Sequence, residues 1–186
     1  MKIIETSLPG VLLLKPKVFG DYRGYFQETF HSQRYRDAGL NVNFVQDNHS
    51  RSRRGVCRGL HYQITHPQGK LVMVMRGEVF DVVVDIRRGS DTFGESFCML
   101  LNDKDNYQIY VPPGFAHGFC VVSDEVDFVY KCTDYYHLES ERGIAWNDPA
   151  ININWPINES EMLLSEKDRK NPLLQNIPDT DLPSLT

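Results

Sequence analysis

Apolar and polar positions alternate in short runs along most of the chain, and the runs are separated by glycine, proline and polar clusters. Such a rhythm, with turn signals every eight to twelve residues, predicts many short strands folded into a β-sandwich or barrel. The clearest strand is 78–86, where Phe80, Val82, Val84 and Ile86 share one face and Asp81 and Asp85 the other. Gly10–Leu14 is a short apolar strand ended by Lys15-Pro16, and Tyr25–Phe30 places Phe26, Glu28 and Phe30 on one face. Ser32 is placed to cap a short helix that stops at Gly39. Asn43–Asn48 reads as a strand, Arg76-Gly77 as a tight hairpin turn, and 97–101 and 108–111 as strands on either side of the polar turn 102–106. His117–Val122 and Val126–Thr133 read as a hairpin across 123–125, with Val126, Phe128, Tyr130 and Cys132 on one face of the second strand. Ser165 is placed to cap a helical turn with Asp168 at its third position. The segment 173–186 reads as an irregular tail to a single domain, 1–186, whose core is about 10–172.

The pattern is broken at 55–75. Two apolar strands flank a Pro-Gln-Gly link, yet they carry Arg58, His61, Gln63 and Lys70. Strand interiors favour Val, Ile and aromatics, so this concentration of cations and amides requires water, partners or a ligand. Strict alternation puts Arg58 and His61 on opposite faces. Gly59 marks a bulge that realigns them, or Arg58 serves a different part of the site.

Composition narrows the classes. The 186 residues carry a net charge of −5, which disfavours nucleic-acid binding while leaving room for one basic pocket. Cys57, Cys98, Cys120 and Cys132 lie in apolar runs without C-x-x-C spacing, and are expected to be buried free thiols in a reducing compartment. Glu5 and Pro9 interrupt any N-terminal apolar run, so no signal peptide is expected. No run approaches membrane-spanning length. The expectation is a cytoplasmic protein.

Three stretches then point to a family: 21–30 (Asp-Tyr-Arg-Gly-Tyr-Phe-Gln-Glu-Thr-Phe), Gln46-Asp-Asn-His-Ser with Arg58-Gly-Leu-His-Tyr-Gln63, and 112–119 (Pro-Pro-Gly-Phe-Ala-His-Gly-Phe). Residues 130–136, 144–149 and 164–168 extend the match. In order and spacing these motifs closely resemble the dTDP-4-dehydrorhamnose 3,5-epimerases. That resemblance implies an all-β, cupin-type jelly roll, a homodimer, and no metal or cofactor. It also implies conversion of dTDP-4-dehydro-6-deoxy-D-glucose to dTDP-4-dehydro-L-rhamnose.

The roles it implies map onto this chain residue by residue. His61 is the base, Asp168 its carboxylate partner, Lys70 the group that stabilises an enolate, and Tyr130 the acid facing His61. Substrate binding falls to Arg23, Phe26, Glu28, Gln46, Asn48, Arg58, Lys70, His117, Tyr136, Glu141 and Lys167. The chemistry is coherent. A neutral imidazole accepts a proton near neutrality, a fixed cation stabilises developing negative charge, and a phenol stays protonated at rest. Arginines suit a diphosphate.

Three rival readings remain. Residues 112–117 also resemble the second motif of metal-dependent cupins. However, Gln63 stands where a second histidine would be needed, and Lys70 lies near the expected carboxylate, where a cation repels a metal. A non-catalytic nucleotide-sugar-binding module would keep the pocket without the chemistry. An epimerase acting only at C3 or only at C5 would keep the same machinery.

Overall fold

The computed structural model describes residues 1–185, so the last position of the expected tail lies outside the described residues. The strands, in chain order, are β1 (Lys2–Glu5), β2 (Leu12–Lys15), β3 (Val18–Asp21), β4 (Gly24–Gln27), β5 (Gln46–Arg53), β6 (Cys57–Gln63), β7 (Lys70–Arg76), β8 (Glu78–Asp85), β9 (Ser96–Asn102), β10 (Gln108–Val111), β11 (Phe115–Val121), β12 (Glu125–Cys132) and β13 (Glu141–Gly143). One short helix, α1 (Ser32–Asp37), follows β4. A six-stranded sheet runs β1-β2-β10-β7-β12-β5, a five-stranded sheet runs β13-β6-β11-β8-β9, and β3 and β4 form a separate ribbon. The all-β sandwich agrees with the cupin-type expectation.

The sandwich interior is apolar because both sheets turn one row of β-branched and aromatic residues inward. Val72, Val74, Ile109, Val126 and Phe128 from the larger sheet meet Val79, Val83, Leu101, Phe119 and Val121 from the smaller. The opposite face of the smaller sheet is also dry. Leu60, Val82, Val84 and Ile86 pack there against Ile144, Ile151, Leu174, Ile177 and Leu182 of the C-terminal segment. Burying side chains of this kind contributes about 1.5–3 kcal/mol each before entropy is counted. The larger sheet's outer face is covered in turn by Tyr35 and Leu40, which pack on Leu14, Leu71 and Met73.

Several expectations need correction. The turns at 76–77 and 123–125 are not hairpins: β7 and β8 lie in different sheets, as do β11 and β12. A short polar turn between alternating strands has the same sequence signature whether it closes a hairpin or crosses a sandwich. Gly77 suits the crossing, at φ +86°, because a Cβ there would lie 2.1 Å from the Glu125 carbonyl oxygen. The strand expected at 43–48 starts at Gln46 and runs on to Arg53. Helix α1 is capped by His31, whose ring accepts from the Arg34 amide, rather than by Ser32. The tail carries two 3-10 turns, Leu174–Asn176 and Asp179–Asp181, and buries Leu174 and Leu182.

The expectation of buried free thiols holds for Cys132, holds only in part for Cys98, which is free but half-buried, and fails for Cys57 and Cys120, which are joined as a disulfide. These two are directly opposed on β6 and β11. A sequence separation of 63 hid that adjacency from any reading of spacing.

Candidate active site

The strands bring their polar interruptions together at one end of the sandwich. On β12 the inward parity that buries Val126 and Phe128 carries on to Tyr130. Its register partners are Asn48 on β5 and Val72 on β7. Lys70 begins β7 opposite Cys132. His61 lies opposite His117 on β11 and Gly143 on β13.

Gly59 resolves the parity conflict. Between His61↔His117 and Arg58↔Phe119 the register shifts, so three steps on β6 oppose two on β11. This is a bulge in β6. Gly59 sits at φ +113°, and a Cβ there would lie 2.6 Å from Gly118 Cα and 2.8 Å from the His117 carbonyl oxygen. Only glycine fits that approach. The extra residue turns Arg58 and His61 towards the same space.

That space is made of two neighbouring cavities, here called the lobes of the site, both walled by His61, Lys70 and Tyr130. The larger, about 310 Å³, adds Gln46, Asn48, Gln68, Tyr136 and Glu141. The smaller, about 140 Å³, adds Ser50, Arg58, His117 and Phe128.

His61 is held from both sides. Its Nε2 lies 2.5 Å from Asp168 Oδ1, and its Nδ1 lies 3.7 Å from Glu141 Oε1. Asp168 is 4% exposed. It is delivered by the 3-10 turn Asp168–Lys170, which begins at Asp168 and has Lys167 rather than Ser165 as its N-cap, although the Ser165 hydroxyl accepts from the Asp168 amide at 3.1 Å. Burial alone would raise the Asp168 carboxyl. Its hydrogen bond and charge interaction with His61, helped by Ser165, outweigh burial and hold it below the ordinary aspartate value. Glu141 is lowered in the same way: burial opposes the shift, while Lys167, Tyr136 and His61 outweigh it. Lys167 Nζ is paired directly to Glu141 Oε2, and the Tyr136 hydroxyl donates to the same oxygen at 2.7 Å.

The remaining groups have complementary electrostatics. Desolvation lowers the Lys70 ammonium against the opposing pull of Cys132, Glu141 and Asp81. Desolvation also raises the Tyr130 phenol, with Arg58 working against it. Tyr130 is therefore a reserve of protons at neutral pH. The arrangement is an imidazole fixed by an ionised carboxylate, a partly buried cation, and a phenol across a shared space. Such a set can remove a proton beside a carbonyl, hold the resulting enolate, and return a proton.

Comparison with known proteins agrees with that chemistry. The profile of the dTDP-4-dehydrorhamnose 3,5-epimerase family matches residues 5–176. An epimerase of that name from Methanothermobacter thermautotrophicus is 51% identical over 177 residues, covering 94% of this chain and 96% of its own. One from Shigella flexneri is 53% identical over 170 residues, covering 90% and 93%. The dTDP-6-deoxy-D-glucose-3,5-epimerase of Legionella pneumophila, solved in complex with dTDP-4-keto-L-rhamnose, superposes with a TM-score of 0.96 at 49% identity, covering 100% of this chain and 98% of that one. The chain belongs to the dTDP-4-dehydrorhamnose 3,5-epimerase family. It is accordingly an isomerase.

Not every residue assigned to this epimerase by resemblance lies at the cavity. Gln46, Asn48, Arg58, His61, Lys70, His117, Tyr130, Tyr136 and Glu141 line it, and Asp168 and Lys167 contact its walls. Arg23 and Phe26 lie instead on the ribbon of β3 and β4, with Glu28 just beyond it. There Arg23 pairs with Asp21, and Glu28 pairs with Arg34 at 2.8 Å. Within one chain these three do not meet the other groups.

Sequence reasoning also missed contributors. Asp81 was assigned only to the polar face of its strand, yet it is buried with its carboxylate 3.0 Å from His117 Nε2. The sequence marks Gln63 as a polar interruption of its strand, standing where a metal-binding histidine would be needed, without naming its partners. Its amide is committed to backbone: it donates to the His66 and Tyr135 carbonyl oxygens and accepts from the His137 amide. A fully polar side chain inside a strand was the available signal for both residues.

Proposed function

We propose that this chain epimerises dTDP-4-dehydro-6-deoxy-D-glucose at C3 and C5 to give dTDP-4-dehydro-L-rhamnose, with His61 as the base. Both carbons flank the C4 ketone, so one set of groups serves both. His61 takes the proton from the carbon, and the electron pair moves into the ring to form an enolate on the C4 oxygen. Lys70 stabilises that oxygen. Tyr130 then gives its phenolic proton to the opposite face of the same carbon. Asp168 keeps His61 in one tautomer and stabilises the imidazolium, the role of the acid in a catalytic triad. The observation that supports this reading best is the shared wall: His61, Lys70 and Tyr130 border both neighbouring cavities.

Gln46, Asn48, Tyr136, Glu141 and Lys167 would hold the substrate around the larger lobe, and Arg58 and His117 around the smaller. Arg23, Phe26 and Glu28 would act in the site of a second copy, which makes the working unit a homodimer. The reaction as written uses no metal or cofactor, and cytoplasmic nucleotide-sugar synthesis is the setting that suits it.

The test is incubation in deuterated water followed by NMR of the sugar. The wild-type chain should place deuterium at C3 and C5 and invert both centres. His61→Ala should do neither. A lost acid or base costs roughly 10²–10⁴-fold, and a sole base more. Exchange at both carbons near the wild-type rate in His61→Ala would put the base elsewhere. Inversion at one carbon only in the wild-type chain would favour the single-centre alternative.

A further inference from the structure

Outside the catalytic cavity, a cluster of side chains of the metal-ligating types stands where two loops meet. His66 belongs to the 64–69 loop between β6 and β7, and Asp134 and His137 belong to the loop that follows β12. One donor atom from each of the three lies within 4.8 Å of the other two. The His66 and His137 rings are stacked, with centroids 3.9 Å apart and planes 19° from parallel. His66 Nδ1 is 3.7 Å from Asp134 Oδ2, and Glu139 Oε1 stands 3.4 Å from His137 Nδ1, which adds a second carboxylate beside the cluster. Donors bound tetrahedrally at ordinary zinc distances are about 3.4 Å apart. Stacked rings aim their in-plane lone pairs in parallel, so ligation requires one ring to leave the stack, and exposed His66 is free to turn its nitrogen towards Asp134 and His137.

The frame beneath these side chains is tied down. Gln63 bonds backbone on both loops, at His66 and at Tyr135 and His137. Gln68 Nε2 donates to the Asp134 carbonyl oxygen at 2.8 Å, the Thr133 amide donates to the Gly69 carbonyl oxygen, and the Gly69 amide donates to the Thr133 hydroxyl at 2.7 Å. The donors are therefore carried on a preorganised scaffold, which reduces the ordering cost of binding. Two imidazoles with a carboxylate suit zinc, cobalt or nickel. Magnesium and calcium favour all-oxygen sites.

We propose that His66, Asp134 and His137 form a divalent transition-metal site that clamps the two loops together from outside. The clamp has a target, because Tyr136, between Asp134 and His137, lines the catalytic cavity and donates to Glu141. None of the three donors lines that cavity. The ion is thus a brace for the Tyr136 loop and takes no part in the proton transfers.

The experiment uses untagged protein stripped with a chelator and then dialysed. Cobalt is followed by its visible absorption, zinc by calorimetry, and the loop by amide hydrogen exchange with and without zinc. Expected are one ion per chain and slower exchange across 134–137. His66→Ala and His137→Ala should each weaken binding at least ~10-fold, while His61→Ala binds as the wild type does. Metal-free His66→Ala should epimerise at the metal-free wild-type rate. The proposal is overturned by the absence of saturable binding, by binding that survives the double substitution of His66 and His137, by binding lost in His61→Ala, or by binding that leaves exchange across 134–137 unchanged.

Discussion

Asp168 and His61 are 107 residues apart in the chain and 2.5 Å apart in the fold, Oδ1 to Nε2. With Nε2 occupied, Nδ1 is the ring nitrogen left to accept a proton, and Glu141 is its nearest carboxylate at 3.7 Å. Asp168→Asn keeps the shape and removes the charge. It should lower kcat/KM about 10²–10⁴-fold while substrate binding persists, as measured by calorimetry with dTDP. The same substitution has a stability signature. The Asp168 carboxyl is lowered in the fold, so its contribution is present above the ordinary aspartate range, near pKa ~3.9, and is lost as the pH falls through the lowered value. Melting temperatures recorded from neutral pH downwards should therefore fall less steeply below about pH 4 in Asp168→Asn than in the wild type. Identical slopes would contradict the stabilising contact.

Lys70 begins β7 with its ammonium among Cys132, Glu141 and Asp81, and desolvation lowers it. A cation in such surroundings is most valuable where negative charge develops. Lys70→Met keeps the length and the packing. It should cost about 10²–10³-fold in deuterium exchange at both C3 and C5, the usual loss for one oxyanion-stabilising group. Loss of epimerisation with exchange intact would show that Lys70 acts after enolate formation.

How much of this was legible in the sequence depends on what each residue's signal was tied to. Parity placed Phe80, Val82, Val84 and Ile86 on one face of the 78–86 run, of which Ile86 falls just past the end of β8, but could not tell the sandwich interior from the layer under Leu174 and Leu182, since both are dry. The turns at 76–77 and 123–125 were seen but given the wrong topology, because sheet membership is decided by pairing across distant strands. The opposition of Cys57 and Cys120 depends on the same pairing. Motif order named His61, Lys70, Tyr130 and Asp168, and the fold brings the four together, while their roles rest on the resemblance; parity alone separated Arg58 from His61.

The residue that reconciles that pair is Gly59. Gly59→Ala forces a Cβ against Gly118 Cα at 2.6 Å from a backbone at φ +113°. Backbone cannot swing aside as a flexible side chain can, so the bulge must shift. Destabilisation of at least about 1–3 kcal/mol is expected from the strained conformation, together with a fall in kcat as His61 moves. Chemical denaturation and steady-state kinetics on the same preparation measure both. An unchanged midpoint with unchanged kcat would mean that β6 tolerates the side chain.

The β3–β4 ribbon leaves its aromatic side chains open. Phe26 is 68% exposed and Tyr22 96%, with Phe19 and Tyr25 also open. A two-stranded ribbon without a buried face is marginal in water. Pairing with a second copy would cover these rings and carry Arg23 towards the neighbouring cavity. Light scattering should give a dimer at micromolar concentration. Tyr25→Ser combined with Phe26→Ser should weaken the dimer and raise KM. A fully active monomer in either protein would contradict the shared site.

Tyr130 gives the sharpest test of mechanism, because its proposed role is separable from that of His61. Both border the cavity, and desolvation holds the Tyr130 phenol above its ordinary value, so it is protonated at neutral pH and can act only as a donor at rest. Tyr130→Phe retains the ring and its contact with Phe128 and removes the acidic proton. His61 can still take the substrate proton, and Lys70 can still hold the enolate. The imidazolium then returns a proton, or a deuteron acquired from solvent, to the face it came from. Tyr130→Phe should therefore lose inverted product by about 10²-fold or more, while deuterium still enters the unconverted sugar at a substantially higher rate. The two losses should differ most at whichever carbon depends on Tyr130 for its new proton. Equal loss of exchange and inversion, in a variant that binds substrate normally, would assign Tyr130 to forming the enolate rather than to quenching it.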